Sequence, residues 1–336
     1  MLSLIPKEQA LVSVCVPCHN AAKYLPAALD SVLAQSYPAI EIIAVNDSST
    51  DSTGDVLEQY AAQHGVKVLH AKFGNASQAR NHAFANSRGA FIKYFDADDV
   101  MSTNMLEVQV LRLFEHRDCI ASSRWKRFIF ELEESDFEPD ALWTDRDAAD
   151  WLVDAMRGGG HHAMMQCGMF LIPREMIQRQ GGWDERLSLI DDTEFFGRMI
   201  AGCRRVLFTE GALYYRSAIS GSLSARKSRS AYQSAVLSIT GFCEHLLRCE
   251  NSPRTRRVAA DLCQAYAYQV DLAEPDLAPL LQNLAAELGG SSIRPSGGPV
   301  FNLLSRFLGW KAAARLRTLG RNLGYERHHF RARASK

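Results

Sequence analysis

No stretch of this chain approaches the roughly 18 consecutive apolar residues that a membrane-spanning helix needs, so no such helix is expected. Residues 1–10 carry Pro6, Lys7 and Glu8 and are too short and polar to read as a signal peptide. Cys15-Val16-Pro17-Cys18 has no second Cys-x-x-Cys to complete a zinc site, and Cys15 falls inside an apolar strand pattern. The eight cysteines follow no regular framework, so reduced, mostly buried thiols of a cytoplasmic protein are expected. The first strand-to-helix turn lacks Gly-x-Gly-x-x-Gly, which removes the common dinucleotide fingerprint. Net charge is also missing: 38 basic residues balance 38 acidic ones. The balance hides an asymmetry. Residues 301–336 hold nine Lys/Arg against the single acid Glu326, about +8, which leaves the remainder near −8.

What is present is an ordinary globular composition over 336 residues, enough for a large core and two lobes. The chain is organised around Phe91-Ile92-Lys93-Tyr94-Phe95-Asp96-Ala97-Asp98-Asp99. Five β-prone residues predict a buried strand, and the acids that follow must end it. Acids at a strand's carboxyl end stand where open α/β sheets bind ligands. Crowded carboxylates raise one another's pKa unless a cation neutralises them, and an oxygen-only donor set suits a hard divalent ion shared with a phosphate. The alternative is a polar turn, with Ser102 capping the next helix.

Strands are expected at 11–16, 40–45, 66–70 and 91–95, with helices at 21–35, 51–64 and 77–87 between them, the last ended by Gly89. This alternation is that of βαβ units and a parallel sheet. Asp47, at the end of the second strand, is placed either to accept a ring N–H of a nucleotide base or to form an Asx-turn.

These residues resemble a known family. Val12–Val16 with Pro17-Cys18-His19-Asn20, Ala44-Val45-Asn46-Asp47-Ser48-Ser49-Thr50-Asp51, Ala79-Arg80-Asn81 and Phe95-Asp96-Ala97-Asp98-Asp99 keep the order and approximate spacing of the family-two glycosyltransferases. The resemblance implies a Rossmann-like GT-A sheet flanked by helices that binds a nucleotide sugar, and a divalent cation, Mn²⁺ or Mg²⁺, at the Asp-x-Asp turn. It implies Asp47 for the base, with Pro17, Asn20, Arg80, Asp96, Asp98 and Arg216 on the donor, and Asp98 and Asp99 on the metal. Arg80 would contact the diphosphate or orient Asp98. Asn46 departs from the family, which commonly has an acid there.

Further along, strands are expected at 124–132, 168–172, 205–208 and 212–216, and helices at 144–156, from Pro173, and from Asp191. Gly158-Gly159-Gly160-His161-His162 reads as a loop whose imidazoles either meet an acceptor or are solvated. Gly181-Gly182-Trp183-Asp184-Glu185, then Asp191-Asp192 with Arg198 six residues on, also resembles the family, with Trp183 for its Phe and Asp191 for its Glu. By that resemblance Asp192 is the general base, and a carboxylate suits the removal of a proton from an acceptor hydroxyl; a helix-capping acid pair is the alternative. Trp183 and Asp191 join His161 and His162 as acceptor-side candidates. Ala218 stands where the family often has a His, with Arg216, Ser222 or Arg226 to compensate, and Ser220–Ser224 would form a lid.

The expected division is a catalytic domain at 1–228 and a helical region at 229–336; the resemblance stops near Arg226. From about 300 the tail is basic and amphipathic, suited either to an anionic membrane interface or to packing against the catalytic domain's own acidic surface. No nucleic-acid-binding module accompanies it, so nucleic acid is not an expected partner. Together these readings predict an inverting, metal-dependent glycosyltransferase that takes a UDP-sugar donor and a glycan, lipid-linked or other hydroxyl acceptor in glycan or polysaccharide biosynthesis. The alternatives are a sugar-phosphate nucleotidyltransferase and a non-catalytic nucleotide-sugar-binding protein of the same fold.

Overall fold

The computed structural model describes residues 10–129, 137–157, 165–217, 228–295 and 297–322, the last five as backbone. The first half is the expected alternation: β1 (Val12–Cys18), α1 (Leu25–Leu33), β2 (Ile40–Asp47), α2 (Thr53–His64), β3 (Lys67–Ala71), α3 (Ala76–Ala85) and β4 (Phe91–Tyr94). Local chemistry explains the ends. Gly65 closes α2 in the left-handed conformation, φ 70°. Asn75 caps α3 by accepting from the Gln78 N–H at 3.0 Å. Gly89 does not end α3, which stops at Ala85 with Asn86 beyond it. Gly89 is needed where β1 passes: a Cβ there would lie 2.5 Å from the Ser13 nitrogen. β1 also runs past its expected end at residue 16, through Pro17 to Cys18. Pro17 sits in register with Val45 of β2, and on the other side β4 pairs with β1 only as far as Cys15, so little ladder is left for a proline to interrupt.

Next come β5 (Val100–Met101), α4 (Met105–Leu113), β6 (Ile120–Phe128), β7 (Arg146–Asp147), α5 (Ala148–Met156), β8 (Ile172–Pro173), α6 (Arg174–Gln180), α7 (Asp191–Ala201) and β9 (Arg205–Arg216). Among the described residues one sheet has the order β3-β2-β1-β4-β8, and a second has β5-β9-β6 with β7 also on β9. Several expectations change here. The strand expected at 168–172 is a 3-10 turn, Cys167–Met169, followed by the two residues of β8. The strands expected at 205–208 and 212–216 are one, with a bulge at Glu210-Gly211 against β6. The helix expected from Thr144 begins at Ala148, because Arg146 and Asp147 pair with β9.

The carboxyl-terminal region is helical, as expected: α8 (Arg229–Cys249), α9 (Pro253–Ala273), α10 (Ala278–Glu287), α11 (Pro299–Leu308) and α12 (Trp310–Asn322). The main buried cluster does not stop at residue 228: it runs from Ala10 through Phe242 and Cys263 to Ala285. α12 meets α9 through Trp310 on Tyr268, ring centres 5.0 Å apart, and Lys311 on Asp271 at 2.6 Å. No helix among the described residues is long and apolar enough to cross a membrane.

One buried amine lies on β4, between β1 and the edge strand β8. Lys93, on β4, is fully buried, and its Nζ donates to Gln109 Oε1 at 3.0 Å. Burial pulls its pKa down to about 7. The unfolded chain then holds a proton that the folded chain lacks between about pH 7 and 10.5, so folding stability should rise with pH across that window. Lys93→Met should flatten the rise in chemical-denaturation curves taken from pH 7 to 10; an unchanged slope would contradict a neutral buried amine.

Candidate active site

The acid turn lies at the junction of the two sheets. β4 ends at Tyr94, the Phe95 N–H donates to the Cys15 carbonyl at 3.0 Å, and β5 carries the chain on to β9. Asp96, Asp98 and Asp99 place carboxylate oxygens within 4.8 Å of one another. Asp96 and Asp98 are half-buried; Asp99 is fully buried. Asp99 accepts from the Arg216 N–H at 2.9 Å and from Gln166 Nε2 at 2.6 Å, and the same Gln166 amide donates to Asp96 at 3.0 Å. Arg216 donates from Nε to the Asp98 carbonyl at 2.9 Å and lies over the Phe128 ring, 4.2 Å from its centre.

α3 and the segment before α7 close the other side. Arg80 is buried and bridges two acids, donating to Asp191 at 2.8 Å and Asp96 at 3.0 Å, with its guanidinium 4.3 Å from the Trp183 ring centre. Burial alone would lower its pKa; Asp96 and Asp191 outweigh that and raise it. Asn81 latches the Trp183 backbone in both directions, at 2.8 and 2.9 Å. Asp192 follows on α7. Its Oδ1 is buried and has no hydrogen-bond partner among the described residues. Burial, then Asp191, push the Asp192 carboxyl well above the usual range, and Arg80 pulls the other way.

The expected site residues therefore fare differently. Asp96, Asp98, Asp99, Arg80, Arg216, Asp191 and Asp192 come together. Arg80 orients Asp96 and Asp191, not Asp98. Asp191 engages Arg80 at 2.8 Å and Ser77 Oγ at 3.2 Å, both through Oδ2. Trp183 is not on an acceptor surface. It is 3% exposed, stacked 4.1 Å from Phe195 and set edge-on to Tyr94. Asp47 is buried and holds a loop rather than standing free. Its Oδ1 accepts the N–H groups of Phe73 at 2.7 Å and Gly74 at 3.0 Å and the Ser48 hydroxyl at 3.2 Å. Its Oδ2 accepts the Asn75 N–H at 3.1 Å. Asn20 is exposed and its Oδ1 accepts from the Thr50 N–H at 2.8 Å, tying the loop after β1 to the loop after β2. Pro17 lies half-buried in β1. His161, His162, Ala218, Ser222, Arg226 and the segment Ser220–Ser224 lie outside the described residues. Gln166 was missed; a lone amide after a glycine-rich loop carries no motif. The Cys15 and Cys18 thiols are buried and pushed up by burial, Cys15 to about 12, which leaves them inert.

Around this site five carboxylates meet two guanidinium groups, so the ionised site is short of positive charge. Burial and Asp96 push Asp98 up to about 7 and raise Asp99 as well. A crowded, hard, all-oxygen donor set with raised pKa values fits a divalent cation.

A parallel α/β sheet with acids at its strand ends and a second sheet carrying the closing strand is the GT-A type of fold. Residues 13–177 match the family model described as Glycosyl transferase family 2. The chain belongs to that family of sugar-transferring enzymes. It is 29% identical over 226 residues to the glycosyltransferase GlyG of Streptococcus pneumoniae, a stretch covering 63% of this chain and 72% of that one. It is 38% identical over 114 residues to a putative teichuronic acid biosynthesis glycosyltransferase, TuaG, of Bacillus subtilis, covering 33% of this chain and 45% of TuaG. In structure it is similar to residues 1–349 of S. aureus TarS in complex with UDP-GlcNAc, with TM-score 0.59, 18% identity and 92% of each chain covered.

The raised acids set a pH dependence. Their folded pKa values exceed the unfolded ones, so the folded state binds extra protons between about pH 4 and 7 and loses stability as pH rises through that window. In EDTA the thermal midpoint should fall from pH 5 to 7.5, and Mn²⁺ should restore it more at pH 7.5 than at pH 5. A midpoint indifferent to Mn²⁺ at both values would count against a cation at this turn.

Proposed function

We propose that this chain transfers a sugar from a uridine-diphosphate donor to an acceptor hydroxyl with inversion, and that Asp192 is its general base. The observation that carries the reading is the convergence of two acid groups, Asp96-Asp98-Asp99 and Asp191-Asp192, on the one buried guanidinium of Arg80. An inverting displacement needs the leaving diphosphate and the base on opposite sides of the anomeric carbon. In this reading the Asp96-Asp98-Asp99 turn stands at the diphosphate and Asp192, with its Oδ1 unpartnered, at the acceptor hydroxyl. The raised pKa of Asp192 makes it a better proton acceptor than an exposed carboxylate once it is ionised.

Asp98, with Asp96 and Asp99 beside it, would hold Mn²⁺ or Mg²⁺, which would supply positive charge to offset a departing diphosphate. Arg216 keeps the turn in shape from below, and Gln166 holds Asp96 and Asp99 together. We assign the donor's base to the carboxyl ends of β1 and β2. There Asp47 acts through the Phe73–Asn75 backbone that it gathers, and Pro17 and Asn20 line the adjoining loop. The UDP-GlcNAc complex of TarS supports the choice of uridine, and TuaG supports a polysaccharide acceptor. The unpartnered carboxylate oxygen at Asp192 favours a transferase with a side-chain base over a nucleotidyltransferase or a binding protein. Asp192→Asn should lower turnover by about 10²–10⁴-fold while UDP binds with Mn²⁺ as tightly as to the parent, by calorimetry. Parent rates of UDP-sugar hydrolysis in that variant would end the assignment.

The acceptor side, in this reading, includes an anionic membrane surface at the cytoplasmic face. α11 exposes Val300, Leu303, Phe307 and Leu308, with Phe307 78% exposed, on one side of the helix beside exposed Arg306. The +8 tail adds the attraction to acidic lipid, and eight free thiols suit a reducing compartment. α12 packs on α9, inside the carboxyl-terminal helical region and not against residues 1–228 in these contacts, so one helix docks and the other faces outward. The protein should float with phosphatidylglycerol vesicles and not with phosphatidylcholine ones. Leu303→Asp/Phe307→Asp should abolish flotation; its persistence would remove α11 from the contact.

A further inference from the structure

Ile190 has φ 61° and ψ 25°. This is the left-handed region, which a β-branched side chain enters only when its surroundings hold it there. Ile190 is the residue before Asp191 and Asp192 and occupies the N-cap of α7, where no side-chain cap bond is made. The groups that hold it come from α8. Ser234, 2% exposed, accepts the N–H groups of Ser188 at 2.8 Å and Leu189 at 3.0 Å, and donates its own proton to the Leu189 carbonyl at 2.9 Å. Ser238, one turn further along and fully buried, donates to the Ile190 carbonyl at 2.5 Å. From the other side Asn75 Nδ2 donates to the carbonyls of Glu185 at 3.2 Å and Leu187 at 3.0 Å.

The serines reach this turn because α7 and α8 pack closely. A Cβ at Gly197 would lie 2.5 Å from the Phe242 ring, and His245 of α8 meets Glu194 of α7 at 3.0 Å. Serine is otherwise an indifferent choice inside a helix, and here two of them, four residues apart on the same face, spend their hydroxyls on a neighbouring turn instead of on solvent.

We propose that Ser234 and Ser238 are positioning residues, which lock Ile190 in its left-handed conformation and thereby set the direction in which Asp192 leaves the first turn of α7. The carboxyl-terminal helical region is in this way part of the catalytic geometry, although the resemblance to the family ends before it. The inference rests on Asp192 being the base. Four hydrogen bonds from two buried hydroxyls oppose the strain at one residue. Without them Ile190 should relax toward an extended conformation and swing the acid pair out of line, a misplacement that costs rate far more than donor binding.

The test is steady-state kinetics on the full chain, with the UDP-sugar that the parent hydrolyses fastest, beside Asp192→Asn as reference. Ser234→Ala/Ser238→Ala should lower kcat by about ten- to a hundredfold and leave the donor KM within about twofold. Adding Ile190→Gly, which adopts positive φ without a steric penalty, should return most of the lost kcat. Rates are taken per folded enzyme, so a serine pair acting only through stability would leave kcat unchanged in the double variant. Failure of Ile190→Gly to restore kcat therefore overturns the inference. So does unchanged kcat in a folded double variant while Asp192→Asn is inactive, and this outcome leaves the base assignment standing. Full turnover in Asp192→Asn removes both. If the double variant does not fold, Ser238→Ala alone is judged by the same readings.

Discussion

A single buried guanidinium holds the two halves of this site together. Arg80 is fixed from below by α3, from the side by the Trp183 ring, and at its two ends by Asp96 and Asp191. A buried arginine needs both partners. Taking one away from such a pair costs about 3–5 kcal/mol, because the remaining charge stays in a poor solvent for it. The acid turn after β4 and the first turn of α7 are about a hundred residues apart in sequence, and this cation is what makes them neighbours. Asn81, one residue on, repeats the link at the backbone of Trp183.

The site is short of positive charge around that bridge, and the deficit is functional. Asp98, Asp99 and Asp192 sit where burial and like charge disfavour ionisation, while Asp99 is tied down by Arg216 and Gln166. Such acids destabilise the fold at neutral pH and favour ligands that bring compensating charge. The surroundings bear the strain: an aromatic group made by Tyr94, Trp183, Phe195 and Phe196 backs the site, with Trp183 and Phe195 in parallel contact. Stacked and edge-on pairs of this kind add about 0.5–1.5 kcal/mol each beyond their burial. The left-handed Ile190 is a second strained element, and α8 contains it.

Much of the architecture could be read from local pattern. β1, β2 and β4 are near-continuous apolar runs, as strands buried on both faces must be. The helices between them carry their own end signals, Gly65 closing α2 and Asn75 opening α3. The second sheet was harder. β9 is one strand interrupted by a bulge at Gly211, where a Cβ would strike the Met105 backbone at 2.8 Å, so its sequence looks like two short strands. β7 and β8 are two residues each and exist because a partner strand is present, not because their residues favour it.

The chain by itself determined the family, the parallel sheet and the roster of acids, because each of these is written in contiguous residues whose spacing is a local property. It could not determine what each acid faces. Asp47 could serve a base or its own turn and gathers three backbone N–H groups from a loop some 26 residues on; Trp183 stood among the acceptor-side candidates and is core; Gln166 and the serines of α8 carried no motif at all. A hydrogen-bond partner far along the chain is chosen only when the fold closes, and the direction of a carboxylate depends on that choice.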